Sequence, residues 1–486
     1  MLWYRITQEE DALQVSVRML DPPDTFSLFL PGRWAGQDDW DQYIHIKEAR
    51  TPSGQIPFTL QRHIGRLDLT MRGEKPGWVE LHYEVKLAVR TGVEDRFSPQ
   101  RLTRDEGFFV YAPTIFILPS EKIASSMRKI PVELHVQSGH TPISTWVASH
   151  SAPSSHNASY HVHGFVLEDV AALRDAFLLV AREVQREERS EDLEIAYDPQ
   201  FKGDTEAISS FIDATLATYG DALGVAGPHT TALVRTPGAR LTRSQRWGTG
   251  RRGGFVLELE QDASLDQSAK LLIAHEAFHL WNGHALVPDT ESELETRWFK
   301  EGLTHYIALK TLHEQGHFDE RDFLDEIAQS ASRYHTAHRQ HPTSRDARQN
   351  LPLYPYDKGV LLGMYIDALL HTTRQDADSS RTSTMATPSL MTWLVTLLDY
   401  SRTYPQWRYT QEDLFLSLQP FLSKEQGDFV AWKSYCEDRE RLDLDAFFSA
   451  LGLHWLDAEP GRQAKLIPLQ RKDPRWKDMM TTRQAP

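Results

Sequence analysis

The run His275-Glu276-Ala277-Phe278-His279 constrains this chain more tightly than any other segment. On an α-helix, residues four apart lie on one face, so the rings of His275 and His279 can both reach the same ion. Glu276 follows the first histidine directly, close enough to reach a water molecule held on that ion. Where this spacing binds zinc, the glutamate is the general base and not a ligand. The run therefore predicts a helix that supplies two zinc ligands and a base.

The flanking residues favour this helix. Ser264 and Gln267 have the spacing of a capping box, which predicts an N-cap at Ser264. Apolar residues follow at helical spacing, and Gly283 is suited to end the helix. We therefore expect the helix to begin next to Ser264 and to end near Gly283.

A second helix is predicted to begin at Thr290, because Thr290 and Glu293 repeat the capping-box spacing. Two antiparallel helices joined by a short loop would bring Glu301 back alongside His275 and His279. Two imidazoles and one carboxylate leave a fourth tetrahedral position open for water. This is the arrangement of a catalytic zinc site rather than a structural one.

Two neighbours of Glu301 carry separate expectations. Gly302 is costly inside a helix, so we expect another part of the backbone to approach closely at this point. His305 lies four residues after Glu301 on the same helical face. We expect it to be a satisfied or exposed histidine rather than a further ligand.

Three segments together resemble the gluzincin metallopeptidases, and most closely their glycyl aminopeptidase family. They are His275–Asn282 (HEAFHLWN), Trp298–Tyr306 (WFKEGLTHY) and Pro355–Gly359 (PYDKG). The resemblance implies one Zn²⁺ ion per chain, held by His275, His279 and Glu301, with Glu276 as the base. It also implies that the Tyr356 hydroxyl hydrogen-bonds the oxyanion of the tetrahedral intermediate.

The likeness extends more weakly along the chain to about Leu453. Leu30–Trp34 (LPGRW) resembles part of the β domain that precedes the catalytic domain in that family. The residues after Leu453 are too few for the PDZ domain that many members carry. Tyr354 lies two residues before Tyr356, so a core tyrosine at this position stays an alternative to the catalytic one.

One departure concerns the substrate. Family members commonly have Gly-Gly-Leu-Glu upstream of the zinc helix, and related aminopeptidases use a glutamate there to hold the free amine of the substrate. This chain has Gly253-Gly254-Phe255-Val256 instead. Glu258 and Glu260 lie nearby on the same predicted strand as possible substitutes. The predicted substrate-binding residues are Gly253, Gly254 and Glu258, on a strand whose edge would receive the peptide.

The apolar patterns predict an α+β multidomain fold. The expected parts are an N-terminal β-sandwich-like domain (1–160), a thermolysin-like zinc catalytic domain (161–316), an α-helical domain (317–455) and a C-terminal tail (456–486). Val79–Leu87 alternates polar and apolar residues, as strands do. An amphipathic helix is predicted near Asp169–Gln185, and a polar surface loop at Gln375–Thr387.

Composition limits the partners. The 486-residue chain has a formal net charge of −15 at pH 7, which argues against sequence-independent binding to nucleic acid or anionic membrane. No stretch has the length and apolarity of a membrane span. The N-terminal residues lack the pattern of a signal peptide, and the single cysteine, Cys436, suits a reducing compartment, so a cytoplasmic location is expected. The expected partner is a peptide or protein substrate, and the sequence leaves the oligomeric state open.

The sequence therefore predicts a zinc metallopeptidase with an aminopeptidase-like activity, and leaves open whether it cleaves internally or from the N terminus. Two alternatives remain. One is a zinc hydrolase of a small non-peptide substrate, since related gluzincins can act on such molecules. The other is a non-catalytic scaffold that kept the fold, although the presence of base, ligands and tyrosine together argues against it.

Overall fold

The computed structural model describes residues 2–22, 25–29, 40–55, 58–63, 66–71, 77–89, 96–102, 107–119, 127–153, 159–237, 241–341, 343, 347–348, 350–380, 388–422, 426–459, 463–469 and 476–477. The chain divides into two compact units. The N-terminal unit consists of Met1–Ser209 and Pro228–Ser264, and the C-terminal unit of Ser210–Gly227 and Leu265–Pro486. The boundaries predicted near residues 160 and 316 fall inside these units rather than between them.

Largely antiparallel sheets make up most of the N-terminal unit, and the largest contains one parallel pair, Leu2–Gln8 with Ile130–Gln137. In spatial order, the eight-stranded sheet contains Ala148–Pro153, Tyr160–Leu167, Ile130–Gln137, Leu2–Gln8, Ala12–Leu20, Trp78–Lys86, Ile44–Thr51 and Gly54–Gln55. One four-stranded sheet contains Thr141–Ser144, Phe177–Ala181, Phe108–Tyr111 and Gln100–Arg101, and the other Leu118–Pro119, Thr25–Phe29, Arg66–Met71 and Phe58–His63. Residues alternate between buried and partly exposed along Ile130–Gln137, as expected of a strand with one face on the core. The predicted N-terminal sheet domain is confirmed, while Leu30–Trp34 lies outside the described residues.

A fourth sheet in this unit has five strands: Gln185–Ser190, Leu193–Tyr197, Thr230–Arg235, Gly254–Glu258 and Trp247–Arg251, in spatial order. The prediction that the strand starting at Gly254 offers an edge is wrong, because Trp247–Arg251 pairs along its outer side. The turn at Gly253, with φ +76°, folds the two strands into a hairpin. Every residue of Gly254–Glu258 is buried, as expected of a strand inside a sheet covered on both faces.

The helix predicted at Asp169–Gln185 is also wrong. The structure has a short helix at Val170–Arg174, whose N-cap Asp169 accepts a hydrogen bond from the Ala172 amide, followed by the strand Phe177–Ala181. All five residues of that strand are buried between two neighbouring strands. Periodicity alone cannot separate so short an apolar run from a helix.

Helices dominate the C-terminal unit, which confirms the predicted C-terminal helical region. The main helices of the chain are α1 (Val170–Arg174), α2 (Thr205–Leu223), α3 (Gln267–Phe278), α4 (Glu293–Arg297), a π-helix (Trp298–Leu303), α5 (Thr304–Glu314), α6 (Glu320–Gln340), α7 (Tyr354–Ser380), α8 (Leu390–Thr403), α9 (Gln411–Leu418), α10 (Gln426–Cys436) and α11 (Leu444–Leu451). Short 3₁₀ turns lie at Trp40–Tyr43, Ala112–Thr114, Arg243–Gln245 and Gln419–Phe421, and a hairpin pairs Leu453–Leu456 with Lys465–Pro468. The loop predicted at Gln375–Thr387 is helical as far as Ser380, and residues 381–387 lie outside the described ones. Among the residues that the structure describes, no helix combines the length and apolarity needed to cross a bilayer.

Candidate metal centre

Helix α3 carries both histidines. Its N-cap is Asp266, whose carboxylate accepts a hydrogen bond from the Ala269 amide, and not the predicted Ser264. The Tyr219 hydroxyl, at the end of α2, donates a 3.0 Å hydrogen bond to the Ala274 carbonyl oxygen. This bond ties down the backbone of α3 one residue before His275.

The element that carries Glu301 is not one regular helix. Helix α4 begins at Glu293, and its N-cap Ser292 makes no side-chain capping bond, so the capping box predicted at Thr290 is wrong. Trp298–Leu303 then forms a π-helix before α5 continues. Insertions of this kind are rare and concentrate at functional sites, where they turn a side chain to a new direction.

Close packing of Gly302 against Gly359 fixes the position of the π-helix. A Cβ atom added to Gly302 would lie 2.4 Å from the Gly359 Cα atom and 2.6 Å from the carbonyl oxygens of Pro355 and Tyr356. The close backbone approach predicted at Gly302 is therefore confirmed, and its partner is the first turn of α7. Because α7 meets the π-helix here, Tyr356 lies beside Glu301.

Three predicted ligands converge. One donor atom from each of His275, His279 and Glu301 lies within 4.8 Å of the others, and this is the metal-ligand cluster found among the described residues. The two Nε2 atoms are 3.1 Å apart, and the Glu301 carboxylate lies 3.8 Å from the first and 3.4 Å from the second. Donors held tetrahedrally about 2 Å from zinc lie roughly 3.3 Å from one another. The side chains therefore fit Zn²⁺ without rearrangement of their helices.

Hydrogen bonding fixes the orientation of the second histidine. His279 Nδ1 lies 2.9 Å from the Asn282 carbonyl oxygen, so Nδ1 carries the proton and Nε2 offers its lone pair. The Asn282 side-chain amide donates to the Phe299 carbonyl oxygen at 2.8 Å and to the Thr304 hydroxyl at 3.1 Å. Asn282, four residues after the end of α3, is thus hydrogen-bonded to the second residue of the π-helix and to the first residue of α5. The sequence showed Asn282 only as part of the family resemblance.

Electrostatics also favour a cation here. Burial lowers the pKa of His279, but the adjacent Glu301 carboxylate outweighs this and raises it on balance. Burial likewise raises the pKa of Glu301, yet the charge of His279 and hydrogen bonds from both rings hold it well below the usual range. Glu301 therefore stays ionised in a closed environment, where an anion needs a positive partner.

The predicted base and tyrosine both face this centre. Glu276 is 5% exposed, and its charge acts on His279 and on Tyr356. Burial raises the pKa of Tyr356 well above its usual value, and the charge of Glu301 together with a hydrogen bond to that carboxylate raises it further. The Tyr356 ring lies 5.9 Å from that of His275.

The alternative tyrosine lies elsewhere. Tyr354 is 1% exposed, and its hydroxyl contacts His338 at 3.2 Å and Asp438 at 3.5 Å. It is a core tyrosine with satisfied hydrogen bonds. Tyr356 is consequently the tyrosine placed to act at the metal centre.

His305 lies next to the centre without joining it. Its ring stands edge-on to that of His275, with 5.5 Å between the ring centroids. Burial lowers the pKa of His305 to about 3, with contributions from His275 and Arg333. His305 therefore stays neutral and packs against a ligand rather than acting as one.

The predicted substrate-binding residues belong to the N-terminal unit. Glu258 is fully buried, and its carboxylate pairs with Arg96 at 2.9 Å and with Arg235 at 3.2 Å. Contact with a substrate would first require breaking one of these pairs. Gly253 lies in the hairpin turn, and a Cβ atom on Gly254 would lie 2.1 Å from the Thr231 carbonyl oxygen. Substrate binding by these three residues remains a prediction.

We expect Asn282→Ala to lower the affinity for zinc about tenfold or more, because His279 and the π-helix lose the residue that joins them. Metal competition with a chromogenic chelator measures this. Gln315→Ala is the matched control, since it also removes a side-chain amide bond, to Thr218 at 2.6 Å, but touches no ligand. Equal zinc affinity in the two folded variants would contradict the role assigned to Asn282.

Comparison with known proteins agrees with this site. Residues 269–359 match the family model described as M61 glycyl aminopeptidase. No curated protein shows a significant match to the chain. The matched segment includes all three ligands, Glu276 and Tyr356.

Solved structures show the same fold. An aminopeptidase N family protein from Idiomarina loihiensis is similar with a TM-score of 0.72 and 19% identity, over 94% of this chain and 79% of that one. An M1 zinc metallopeptidase from Deinococcus radiodurans gives a TM-score of 0.58 and 14% identity, over 91% and 94% of the two chains. A mutant of the latter, bound to a Tyr-Ser-Ala substrate, gives 0.57 and 12% over the same shares. The predicted resemblance to the glycyl aminopeptidase family is thus confirmed for residues 269–359, the segment that carries the metal centre, and the chain shares the fold of these aminopeptidase N family and M1 zinc metallopeptidase structures.

Proposed function

We propose that the chain hydrolyses peptide bonds with Glu276 as general base and Tyr356 as oxyanion donor, in an aminopeptidase-like mode. The observation that carries the proposal is the convergence of three ligand atoms beside these two side chains. We also propose a thermolysin-like arrangement for this part of the chain. Its support is the five-stranded sheet that precedes the histidine helix in the sequence, with three parallel central strands and an antiparallel strand at each edge.

The ligand set allows hydrolysis near neutral pH. Zinc, when bound, supplies a Lewis acid that makes water acidic near neutral pH and polarises a carbonyl oxygen. His275, His279 and Glu301 leave room for water and substrate, because three protein ligands do not complete a tetrahedron.

Glu276 moves the proton. Its carboxylate accepts a proton from the attacking water and then delivers it to the leaving amine, which is the work of a general base and acid in turn. Burial of this side chain keeps bulk water from competing for that proton. The amine therefore leaves as a neutral group.

Tyr356 stabilises the developing charge. Burial and the nearby Glu301 raise the pKa of Tyr356, so its hydroxyl keeps its proton at physiological pH and can donate it in a hydrogen bond. A donor aimed at an oxyanion is worth about 3 kcal/mol of barrier, or roughly a hundredfold in rate.

A mixed peptide pool tests the proposal. The zinc-loaded protein is incubated with the pool before and after its N termini are acetylated, and the products are identified by mass spectrometry. We expect stepwise loss of N-terminal residues from the free pool and none from the acetylated pool. Internal cleavage that survives acetylation would contradict the aminopeptidase mode, and cleavage of no peptide at all would contradict peptide hydrolysis.

A further inference from the structure

The first turn of α7, which carries Tyr356, is anchored on the face of the helix opposite this tyrosine. Tyr354 and Lys358 lie four residues apart and share that face, whereas Tyr356 is rotated by about 200° from Tyr354. Both anchoring side chains are buried. Contacts on their shared face therefore set the rotation of the turn about its axis, and with it the direction of Tyr356.

One carboxylate contacts both of the anchoring residues. The Lys358 ammonium pairs with Asp438, and the Tyr354 hydroxyl lies 3.5 Å from the same carboxylate. Lys358 Nζ also donates a 2.9 Å hydrogen bond to the carbonyl oxygen of Cys436, the last residue of α10. The end of a helix leaves such a carbonyl without a partner of its own. Lys358 thus joins the start of α7 to the end of α10.

The backbone of Asp438 indicates that its carboxylate is needed at this position. Its φ angle is +59°, in the left-handed region where glycine is the usual residue. Aspartate adopts this conformation more easily than most residues, but less easily than glycine. The contacts of the carboxylate with Lys358 and with Arg348, at 3.0 Å, compensate for this conformation. The turn after α10 therefore holds a charge and does not merely reverse the chain.

Burial makes the pair of Lys358 and Asp438 a weak source of stability. The two side chains are 5% and 7% exposed, so both charges lose most of their hydration. Burial lowers the pKa of Lys358, although the charge of Asp438 opposes this. Apolar side chains of similar size often stabilise a buried position equally well. The ion pair adds direction, because an ammonium that bonds a carboxylate and a carbonyl oxygen together has one favourable position.

We propose that Lys358 and Asp438 are positioning residues for Tyr356, which fix the rotation of the first turn of α7 so that the tyrosine hydroxyl points at the developing oxyanion. Gly302 and Gly359 set how closely the turn approaches the π-helix. The ion pair sets the direction in which the turn faces. This proposal rests on the role proposed for Tyr356 in peptide hydrolysis.

Lys358→Met removes the positioning contacts without leaving a buried charge unpaired. Methionine has about the size of the lysine stem, and Asp438 keeps its pair with Arg348. Misplacement of a catalytic group by about 1 Å can slow a reaction about a hundredfold. We expect kcat to fall about tenfold to a hundredfold with KM nearly unchanged, in a zinc-loaded protein with the urea midpoint of the wild type. Lys358→Gln, whose amide can still donate to Asp438, should lose less of kcat, and it serves if the methionine variant does not fold.

Lys310→Met is the matched control. Lys310 is another largely buried lysine of the C-terminal unit, and its partner Asp367, at 2.6 Å, lies later in α7. The substitution removes the cation bound to Asp367, so the urea midpoint should fall below that of Lys358→Met. Its kcat should nevertheless be normal. The two variants therefore separate loss of position from loss of stability.

A double-variant cycle tests whether Lys358 acts through Tyr356. We expect Lys358→Met to slow the wild-type enzyme but to change kcat less than about twofold in the Tyr356→Phe background, where no hydroxyl remains to be positioned. A purely structural role would slow both backgrounds alike. An unchanged kcat in Lys358→Met, or an equal loss in both backgrounds, would overturn this proposal while Tyr356 keeps its role. An unchanged kcat in Tyr356→Phe would overturn the oxyanion role, and this proposal with it.

Binding of a tetrahedral analogue repeats the cycle without turnover. The ligand is a tripeptide in which a phosphinate replaces the scissile amide, and calorimetry measures its affinity for the zinc-loaded proteins. We expect Tyr356→Phe and Lys358→Met each to weaken binding about tenfold or more, and the double variant to bind like Tyr356→Phe. That result supports the positioning role even if no peptide is cleaved. Additive losses, or no loss in either single variant, would overturn it even if the wild-type enzyme cleaves peptides.

Discussion

Glu276→Gln is expected to lower kcat/KM for peptide hydrolysis by about 10³-fold or more while the protein keeps a full complement of zinc. Glutamine has the shape of glutamate but cannot accept a proton from water, and general acid–base catalysis contributes about 10²- to 10⁴-fold. The ligands His275, His279 and Glu301 are unchanged by this substitution. Steady-state kinetics and metal analysis of the same preparation, purified without chelator, measure the two effects together.

The matched control is Glu412→Gln, because Glu412 is an exposed glutamate whose described partner is Lys433 at 3.1 Å. It should retain normal activity and normal zinc. Normal turnover in the Glu276 variant would remove the proposed base. Loss of zinc along with turnover would instead mean that Glu276 shapes the metal site, which would also contradict the role assigned to it.

The metal centre could be predicted from the sequence because it depends mainly on the spacing of residues within short segments. Helical spacing alone predicts the positions of His275, Glu276 and His279. Gly302 predicted a close approach of another part of the backbone, because glycine is unfavourable inside a helix. Glu301 needed only a second helix folding back beside the first. The structure brings the side chains of His275, His279 and Glu301 together, as this reasoning predicts.

Features that depend on distant partners could not be predicted. The π-helix adds one residue to a helical turn and leaves no periodic signal in the sequence. The direction in which the Glu301 side chain points from Trp298–Leu303 therefore could not be predicted. Gly254–Glu258 lies inside its sheet because Trp247–Arg251, the strand before it in the sequence, pairs along its outer edge. At the start of α3, Ser264 and Asp266 are both good N-caps, and only the structure shows that Asp266 is used.

Gly302→Ala should strongly destabilise the C-terminal unit, although it adds a single carbon atom. The new Cβ atom would lie 2.4 Å from the Gly359 Cα atom and 2.6 Å from two carbonyl oxygens, and backbone atoms cannot move aside as a side chain can. Overpacking of this kind typically costs about 1–3 kcal/mol, and we expect the upper end of that range. Since the π-helix carries Glu301 and α7 carries Tyr356, separation of the two should also weaken zinc binding and slow turnover.

Gly220→Ala is the control, because its added Cβ atom would meet nothing closer than 3.4 Å inside α2. Alanine is favoured over glycine in a helix by about 0.5–1 kcal/mol, so this variant should be as stable as the wild type or slightly more so. Urea unfolding of the zinc-free proteins separates loss of packing from loss of metal. If Gly302→Ala unfolds at the wild-type urea concentration and binds zinc normally, then the contact between the π-helix and α7 does not hold Glu301 in place, and its direction must come from Asn282 alone.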